Sequence, residues 1–177
     1  MGASGLTMAT LAFADAALGA ADIPYRERSV PATLTRPSGR LFRLKSAIWP
    51  FGTIEMEIQG DAPSSWMEPT VRAVFRLHAL GDNWDSNGST RIQRDAIART
   101  IALLLQIMAD DSPSPSVVPL PSGGIQLEWH RRRQDLEIVI EAAGPVQFFY
   151  TNRATGEAIE DLLGNPTALA EFVRSLT

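Results

Sequence analysis

The sequence predicts an α+β fold in which an antiparallel β-meander packs against a central helix and a C-terminal helix. We place the meander at about residues 116–161, the central helix at about 90–109 and the C-terminal helix at about 166–176. The first observation is a run of segments that alternate apolar and polar residues, which is typical of an antiparallel sheet with one solvent-exposed face. The second is that apolar residues recur at helical spacing on both sides of this run. No repeat of solenoid length is visible, so helices that flank one run of strands predict an α+β domain.

Length and composition indicate one globular domain with an N-terminal appendage. The chain has 177 residues, of which 45% are hydrophobic and 20% are charged, and this is ordinary for a soluble domain with a buried core. We predict an N-terminal segment over residues 1–60, with a helix and a β-hairpin, and an α+β core domain over residues 61–177. Because the chain has no cysteine, disulfides and cysteine-based zinc sites are excluded, and a cytoplasmic location is the simplest expectation. The net charge of -4 gives no overall attraction to nucleic acid or to an anionic membrane.

The N-terminal segment opens with the apolar stretch LTMATLAFADAALGAA at residues 6–21. It lacks the basic n-region of a signal peptide, and Asp15 interrupts it. It is also too short and too polar to span a bilayer, so we predict a helix there. Further along, LFRLKSA and TIEMEIQG alternate apolar and polar residues on either side of WPFG, which predicts a β-hairpin.

Two helices are predicted between the hairpin and the meander. Residues 69–80 carry apolar side chains at helical spacing and stop at Gly81, a normal C-terminal signal. The central helix follows the loop GDNWDSNG, where Thr90 and Gln93 have the spacing of a capping box and Trp84 is expected to fill the core. Its wide apolar face places it against the sheet. That face comprises Ile97, Ile101, Leu103, Leu104, Leu105, Ile107 and Met108.

The first two strands of the meander lie in VVPLPSGGIQLEWH at residues 117–130, and their side-chain alternation predicts how they pair. We pair Leu120 with Ile125. Val118 then lies opposite Leu127, and all four side chains share one buried face. The intervening Pro, Ser and two Gly form a four-residue loop, and the proline before them marks an edge strand because it has no N–H to donate.

The following strands extend the same buried face. Trp129 is placed opposite Leu136 across the turn RRRQ. Ile138 is placed opposite Phe148 across a loop in which Gly144 can adopt the left-handed conformation. EAIED predicts the last strand, and the dipeptide NP predicts the start of the C-terminal helix. The buried face of that helix comprises Leu169, Phe172, Val173 and Leu176.

On the opposite face of the same strands, Glu128 lies opposite Glu137, and His130 lies opposite Asp135. Two opposed carboxylates repel each other, so solvent, an arginine or a cation must relieve this pair. The arrangement allows two interpretations. One is the ordinary wet face of an antiparallel sheet. The other is a shallow acidic catalytic site formed by Glu128, Glu137 and His130.

The turn between these strands carries Arg131, Arg132 and Arg133. Three cations beside Trp129 and His130 could bind phosphate, which would make the chain a weak nucleic-acid binder. The flanking acidic residues reduce the attraction to an anion, whereas the carboxylates of a protein partner match the forked geometry of guanidinium groups. We therefore assign the three arginines to partner binding.

No metal site and no cofactor site is predicted. NWDSNG at residues 83–88 resembles half of a calcium loop, but Arg94 stands at the twelfth position, where calcium binding requires a bidentate glutamate. The sequence has no GxSxG, no P-loop, no GxGxxG after a strand and no HExxH. An enzyme of this fold would need a catalytic group assembled in space.

The quoted motifs together resemble a family of small, functionally uncharacterised bacterial proteins. The shared pattern is a Trp-Asp dipeptide before a helix, a proline-rich link, and a hairpin of the form VVPxPxGGIQLEW. The resemblance covers residues 80–177 and is most specific at the hairpin, whereas residues 1–60 lie outside it. WDSNGS is an altered form of the family's loop. No activity comes with the family, so the resemblance adds no functional residue.

The sequence favours a non-catalytic protein-binding module, such as an accessory or antitoxin-like protein. The support is a well-specified fold without an assembled catalytic motif. Two alternatives stay open: an enzyme that uses Glu128, Glu137 and His130, and a weak nucleic-acid binder that uses Arg131–Arg133. We expect a protein partner, no cofactor and no membrane association.

Overall fold

Two compact units make up the chain, Met1–Ala62 and Pro63–Thr177. The computed structural model describes residues 8–14, 40–48, 52–60, 64–163 and 166–177. No helix in these ranges is both long enough and apolar enough to cross a membrane.

The first unit contains a three-stranded antiparallel sheet of order β1-β3-β2. Its strands are β1 (Met8–Ala14), β2 (Arg40–Ile48) and β3 (Gly52–Gly60). β2 and β3 form a hairpin in which Ile48 lies opposite Gly52. The structure corrects the predicted helix at residues 8–14, because β1 pairs with β3 along its whole length. Pairing with a neighbouring strand thus overrides the helix propensity of this alanine-rich stretch.

The second unit is an α+β domain, as predicted. Its five-stranded antiparallel sheet has the order β4-β5-β6-β7-β8, so the predicted meander is confirmed. The strands are β4 (Ser116–Pro119), β5 (Ile125–Arg131), β6 (Gln134–Ile140), β7 (Gln147–Asn152) and β8 (Glu157–Leu162), and the helices are α1 (Met67–Leu77), α2 (Arg94–Ile107) and α3 (Pro166–Ser175). α1 ends before the predicted Leu80, because residues 78–80 make tighter i→i−3 hydrogen bonds.

The core lies between the helices and one face of this sheet. α2 contacts β5, β6 and both other helices, so the prediction of a central helix is confirmed. Side chains alternate along each strand, so every second residue of the sheet faces these helices. Removing such apolar surface from water is the main favourable contribution to folding. The largest fully buried side chains are Trp129, Phe75, Met67, Ile92, Ile97, Leu104, Ile125, Leu127, Leu136, Ile138 and Ile140.

α2 begins at Arg94, later than predicted. Gln93 precedes it with an extended backbone and makes no side-chain capping bond, so the predicted capping box is wrong. The backbone N–H of Thr90 donates to Pro121 O at 2.8 Å, and that of Gln93 donates to Gly123 O at 2.9 Å. Hydrogen bonds to the β4–β5 loop therefore take the place of a first helical turn.

The pairing of the three middle strands follows the prediction. Trp129 lies opposite Leu136 in β5 and β6. Ile138 lies opposite Phe148 in β6 and β7. Because side chains alternate, these pairs extend one buried face across the three strands.

The pairing of β4 with β5 differs from the prediction by one residue. Val117, not Val118, lies opposite Leu127, and Pro119 lies opposite Ile125. A shift of one residue turns the other face of a strand toward the core. The predicted pairing of Leu120 with Ile125 and of Val118 with Leu127 is therefore wrong.

Gly123 explains this shift. Its φ of +90° lies in the left-handed region, which permits a three-residue hairpin loop. Leu120 N–H donates to Gly124 O at 3.0 Å, and Gly123 N–H donates to Leu120 O at 2.9 Å. The loop therefore consists of residues 121–123 rather than the four residues that we predicted.

The last strand and the last helix complete the domain. β8 covers the predicted EAIED segment, and α3 begins at Pro166 as predicted. The predicted cap, Asn165, lies outside the described residues. Phe172 of α3 is half-buried, and its ring stacks on Tyr150 with centroids 4.5 Å apart. The fully buried residues of this part of the chain are Leu169, Val173 and Leu176.

Candidate functional site

The sheet face that points away from the helices carries the predicted acid–base residues. Glu128 lies opposite Glu137 and His130 lies opposite Asp135, as the alternation predicts. Gln126 is the next residue of β5 on this face. We call these five residues the polar network.

Gln126 bridges the two opposed glutamates. Its Nε2 donates to Glu128 Oε1 at 2.8 Å and to Glu137 Oε2 at 3.2 Å. One amide group with two donors thus relieves the repulsion that we expected solvent, an arginine or a cation to relieve. This role was not predicted, although Gln126 stands two residues from Glu128 and the alternation places both on one face.

His130 lies between two carboxylates. Its Nδ1 is 2.8 Å from Asp135 Oδ1, and its Nε2 is 3.5 Å from Glu128 Oε2. The hydrogen bond to Asp135 raises the pKa of His130 above its usual value, against the opposing effect of desolvation. Protonation therefore gives this histidine a donor for each carboxylate.

Asp135 is the most heavily bonded member of the polar network. Its carboxylate accepts from Arg153 Nε at 2.7 Å and lies 3.3 Å from the donor Thr151 Oγ1, in addition to the contact with His130. The hydrogen bond from His130, aided by Arg153, lowers the pKa of Asp135. Thr151 belongs to the end of β7 and Arg153 to the turn after it, so the pairing of β5 with β6 alone could not predict these contacts.

The geometry of the polar network suits mutual neutralisation better than proton transfer. A general base needs a lone pair within reach of a substrate proton. The two ring nitrogens of His130 lie 2.8 Å and 3.5 Å from carboxylate oxygens of the network, so both are engaged within it. Among the described residues, no three His, Asp or Glu side chains are grouped so that they could hold a metal ion.

The turn between β5 and β6 presents Arg131, Arg132 and Arg133, which we call the arginine turn. All three residues are exposed. Arg132 and Arg133 have φ values of +51° and +63°, so both central residues of a two-residue turn are left-handed, as in a type I′ turn. Their guanidinium groups make no hydrogen bond or ion pair with the part of the chain that the structure describes.

Further positive charge lies at the same end of the sheet. Arg153 N–H donates to Arg133 O at 2.8 Å, which holds the β7–β8 turn beside the arginine turn. The C-terminal end of α3 also lies here, because Ser175 Oγ is 2.9 Å from Gln134 Oε1 at the start of β6. Arg174 is the neighbour of Ser175 in the chain and therefore lies near the same end of the sheet. The arginine turn was predicted, but these two neighbours were not.

The loop that resembles half of a calcium site uses its side-chain oxygens for its own backbone. Asn83 Oδ1 accepts from Gly88 N–H at 2.7 Å, and Asp85 Oδ1 accepts from Asn87 N–H at 2.8 Å. Trp84 is half-buried rather than a core residue, and its Nε1 donates to Thr90 O at 3.3 Å. The prediction that Trp84 fills the core is wrong, because the loop closes on itself through these bonds.

Comparison of the chain with protein-family models, with curated proteins and with solved structures finds no match. The resemblance to the family with the VVPxPxGGIQLEW hairpin stays a prediction. The geometry of the polar network and of the arginine turn is therefore what bears on function.

Proposed function

We propose that the second unit is a non-catalytic, cytoplasmic protein-binding module, accessory or antitoxin-like, that binds an acidic protein partner through the arginine turn. The observation that carries this proposal is the pair of left-handed arginines, Arg132 and Arg133, whose guanidinium groups are unpaired within the described residues.

The conformation of the arginine turn is costly for its residues. A left-handed conformation costs a non-glycine residue about 1–2 kcal/mol, and Asn-Gly is the usual sequence of such a turn. Arg132 and Arg133 hold this conformation without any compensating side-chain bond to the described chain. Sparsely populated backbone conformations cluster at binding sites, where the exposed group performs the function.

The chemistry of the arginine turn fits carboxylates. A guanidinium group presents five N–H donors in a rigid fork that matches a carboxylate bidentately. The nearest acidic residue of β6, Asp135, is already bonded to His130 and Arg153. The three guanidinium groups therefore keep their donors for a partner.

The two alternatives have weaker support. The enzyme that would use Glu128, Glu137 and His130 requires a free base, and the polar network bonds each of these groups to another. Nucleic-acid binding through Arg131–Arg133 is disfavoured because the net charge of the chain, -4, repels a polyanion.

The first experiment separates the fold from binding. We expect the Arg132→Asn/Arg133→Gly variant of the full chain to gain about 1–2 kcal/mol in unfolding free energy, because Asn-Gly relieves the left-handed arginines. The same variant should lose the partner that wild type recovers from its native host, identified by mass spectrometry and then tested as a purified protein. Undiminished binding of that purified partner would overturn the proposal.

The second experiment separates a protein partner from nucleic acid. Replacing Arg131, Arg132 and Arg133 by Lys keeps the charge but removes the fork, so carboxylate recognition should weaken while any phosphate binding persists. Replacing all three by Ser should abolish both. Binding of RNA or DNA by wild type with a log-log salt slope of about -2 to -3, retained with Lys and lost with Ser, would establish the nucleic-acid alternative instead.

A further inference from the structure

The five-stranded sheet has two edges, β4 and β8, and they differ in how they are protected. An exposed edge presents unpaired N–H and C=O groups to which another chain can add. Leu120 N–H donates to Gly124 O, so by alternation Val117 and Pro119 are the residues of β4 whose backbone nitrogens point outward. Pro119 has no N–H, which leaves Val117 as the outward donor of this four-residue strand.

β8 keeps more of its outward donors than β4 does. Leu163 N–H donates to Val146 O at 2.8 Å, so by alternation Ala158, Glu160 and Leu162 direct their backbone groups away from β7. Leu162 N–H donates to its neighbour Asp161 Oδ1 at 2.7 Å and is thereby occupied. The N–H and C=O groups of Ala158 and Glu160 stay available, since no strand among the described residues pairs with this edge.

A shallow groove with a mixed polar and apolar lining accompanies this open edge. It has a volume of about 350 Å³ and is lined by Gln147, Phe149, Glu160, Asp161 and Leu162. Leu162 is 53% exposed, and it is the one large hydrophobic residue of the described chain that is exposed in this way. Such a groove beside an open edge is where a side chain of an added strand would lie.

The negative charge of β8 favours a positively charged partner segment. Glu157 and Glu160 are exposed, and their carboxylates make no bond within the described residues. Asp161 adds a third carboxylate, which is bonded to the backbone of Leu162. Complementarity to this strand requires a cationic chain.

We propose that β8 binds a basic, extended peptide segment of a partner protein as a sixth strand of the sheet. Backbone groups of the segment pair with Ala158 and Glu160, an apolar side chain enters the groove beside Phe149 and Leu162, and the alternating Lys or Arg side chains lie on the other face of the sheet, where Glu157 is. This surface differs from the arginine turn, so the inference stands independently of the proposed function.

The test uses the full chain and a fluorescein-labelled peptide of alternating Lys and Val, with a peptide of the same composition in two blocks as its control. We expect the alternating peptide to bind more tightly, because it alone presents one apolar face as a strand. Ala158→Pro removes an outward donor without removing a bond to β7, and it should weaken binding by about tenfold. Glu157→Gln should also weaken binding, whereas Glu171→Gln removes equal charge elsewhere and should not.

A direct readout keeps the proposal testable if Ala158→Pro does not fold. In ¹⁵N-labelled wild type, the peptide should slow hydrogen exchange at the amides of Ala158 and Glu160 and leave Val117 unchanged. Binding without that protection, equal binding of both peptides, or no binding up to about 1 mM peptide would overturn the proposal. Pairing of two copies through β8, seen as concentration-dependent dimerisation with these amides protected before peptide is added, would overturn it as well. Replacing Arg131, Arg132 and Arg133 by Ser should leave peptide binding unchanged.

Discussion

The two faces of the five-stranded sheet are built from the same strands and satisfy their polar groups in different ways. On the buried face the large side chains are apolar, and the indole N–H of Trp129 donates to Pro113 O at 2.7 Å. On the solvent face Gln126 donates to both Glu128 and Glu137, and His130 contacts Asp135. Substitutions on the first face should therefore act on stability through lost packing, whereas those on the second mainly change exposed charge.

The largest effect should come from the buried face. We expect Trp129→Ala to lower the free energy of unfolding by about 3–5 kcal/mol, because it removes a large buried side chain and leaves a cavity. Trp129 is 2% exposed, so little of the lost contact can be replaced by solvent. Denaturant unfolding followed by circular dichroism measures this change. Equal unfolding midpoints for the variant and wild type would contradict the assignment of Trp129 to the core.

The next effect concerns Gly124, which directly precedes β5 at the end of the β4–β5 loop. A β-carbon at Gly124 would lie 2.8 Å from the backbone oxygen of Ile140 and 2.6 Å from Glu141 Oε2. The glutamate can move but the strand backbone cannot, so we expect Gly124→Val to cost about 1–3 kcal/mol. Gly81→Val is the matched control, since no atom lies within 4 Å of a β-carbon there. Similar melting temperatures for the two variants would show that the close contact is relieved without cost.

Much of the buried face could be predicted because alternation leaves little freedom once a turn is placed. The turn between Arg131 and Gln134 and the loop around Gly144 fixed the pairing of three strands correctly. The β4–β5 pairing was wrong because a four-residue loop and a three-residue loop are both compatible with the prolines. The positive φ of Gly123 decides between them, and a second glycine at position 124 conceals which one adopts it.

The solvent face was predictable in its pairs but not in its bonds. The opposition of Glu128 and Glu137 follows from alternation alone. The contact of Arg153 with Asp135 depends on how the β7–β8 turn folds back onto β6, which involves residues 18 positions apart. The start of α2 was missed for a similar reason, because hydrogen bonds from Thr90 and Gln93 to the β4–β5 loop are long-range and leave no local signal.

A smaller effect is expected on the solvent face. Glu128→Gln removes one of two opposed carboxylates but keeps an oxygen that can accept from Gln126, so the free energy of unfolding should change by no more than about 0.5 kcal/mol. Glu137→Gln should behave alike, since Gln126 bonds to both glutamates. Chemical denaturation of both variants checks this expectation. Loss of a measured turnover in folded Glu128→Gln would instead support the enzyme alternative.

The smallest effect should be visible only as a dependence on pH. The pKa of His130 is raised above 6.5 by the hydrogen bond to Asp135. Its stabilising contribution is therefore fully present below pH 6.5 and is lost as the pH rises through the raised value. The lowered pKa of Asp135 acts in the opposite sense, because its contribution is present above its ordinary pKa of 3.8 and is lost as the pH falls through the lowered value.

The contact between His130 and Asp135 should thus stabilise the fold most strongly between pH 3.8 and pH 6.5. We expect the difference in melting temperature between wild type and His130→Gln to be larger near pH 5.5 than near pH 8.5. Because Asp135 also accepts from Arg153, a double-mutant cycle with Asp135→Asn is needed to isolate the coupling of the pair. That coupling should shrink with rising pH, since deprotonation removes the positive charge by which His130 attracts the two carboxylates. A coupling that is the same at both pH values would show that the contact persists with a neutral imidazole, and the solvent face would then owe its order to hydrogen bonding rather than to charge.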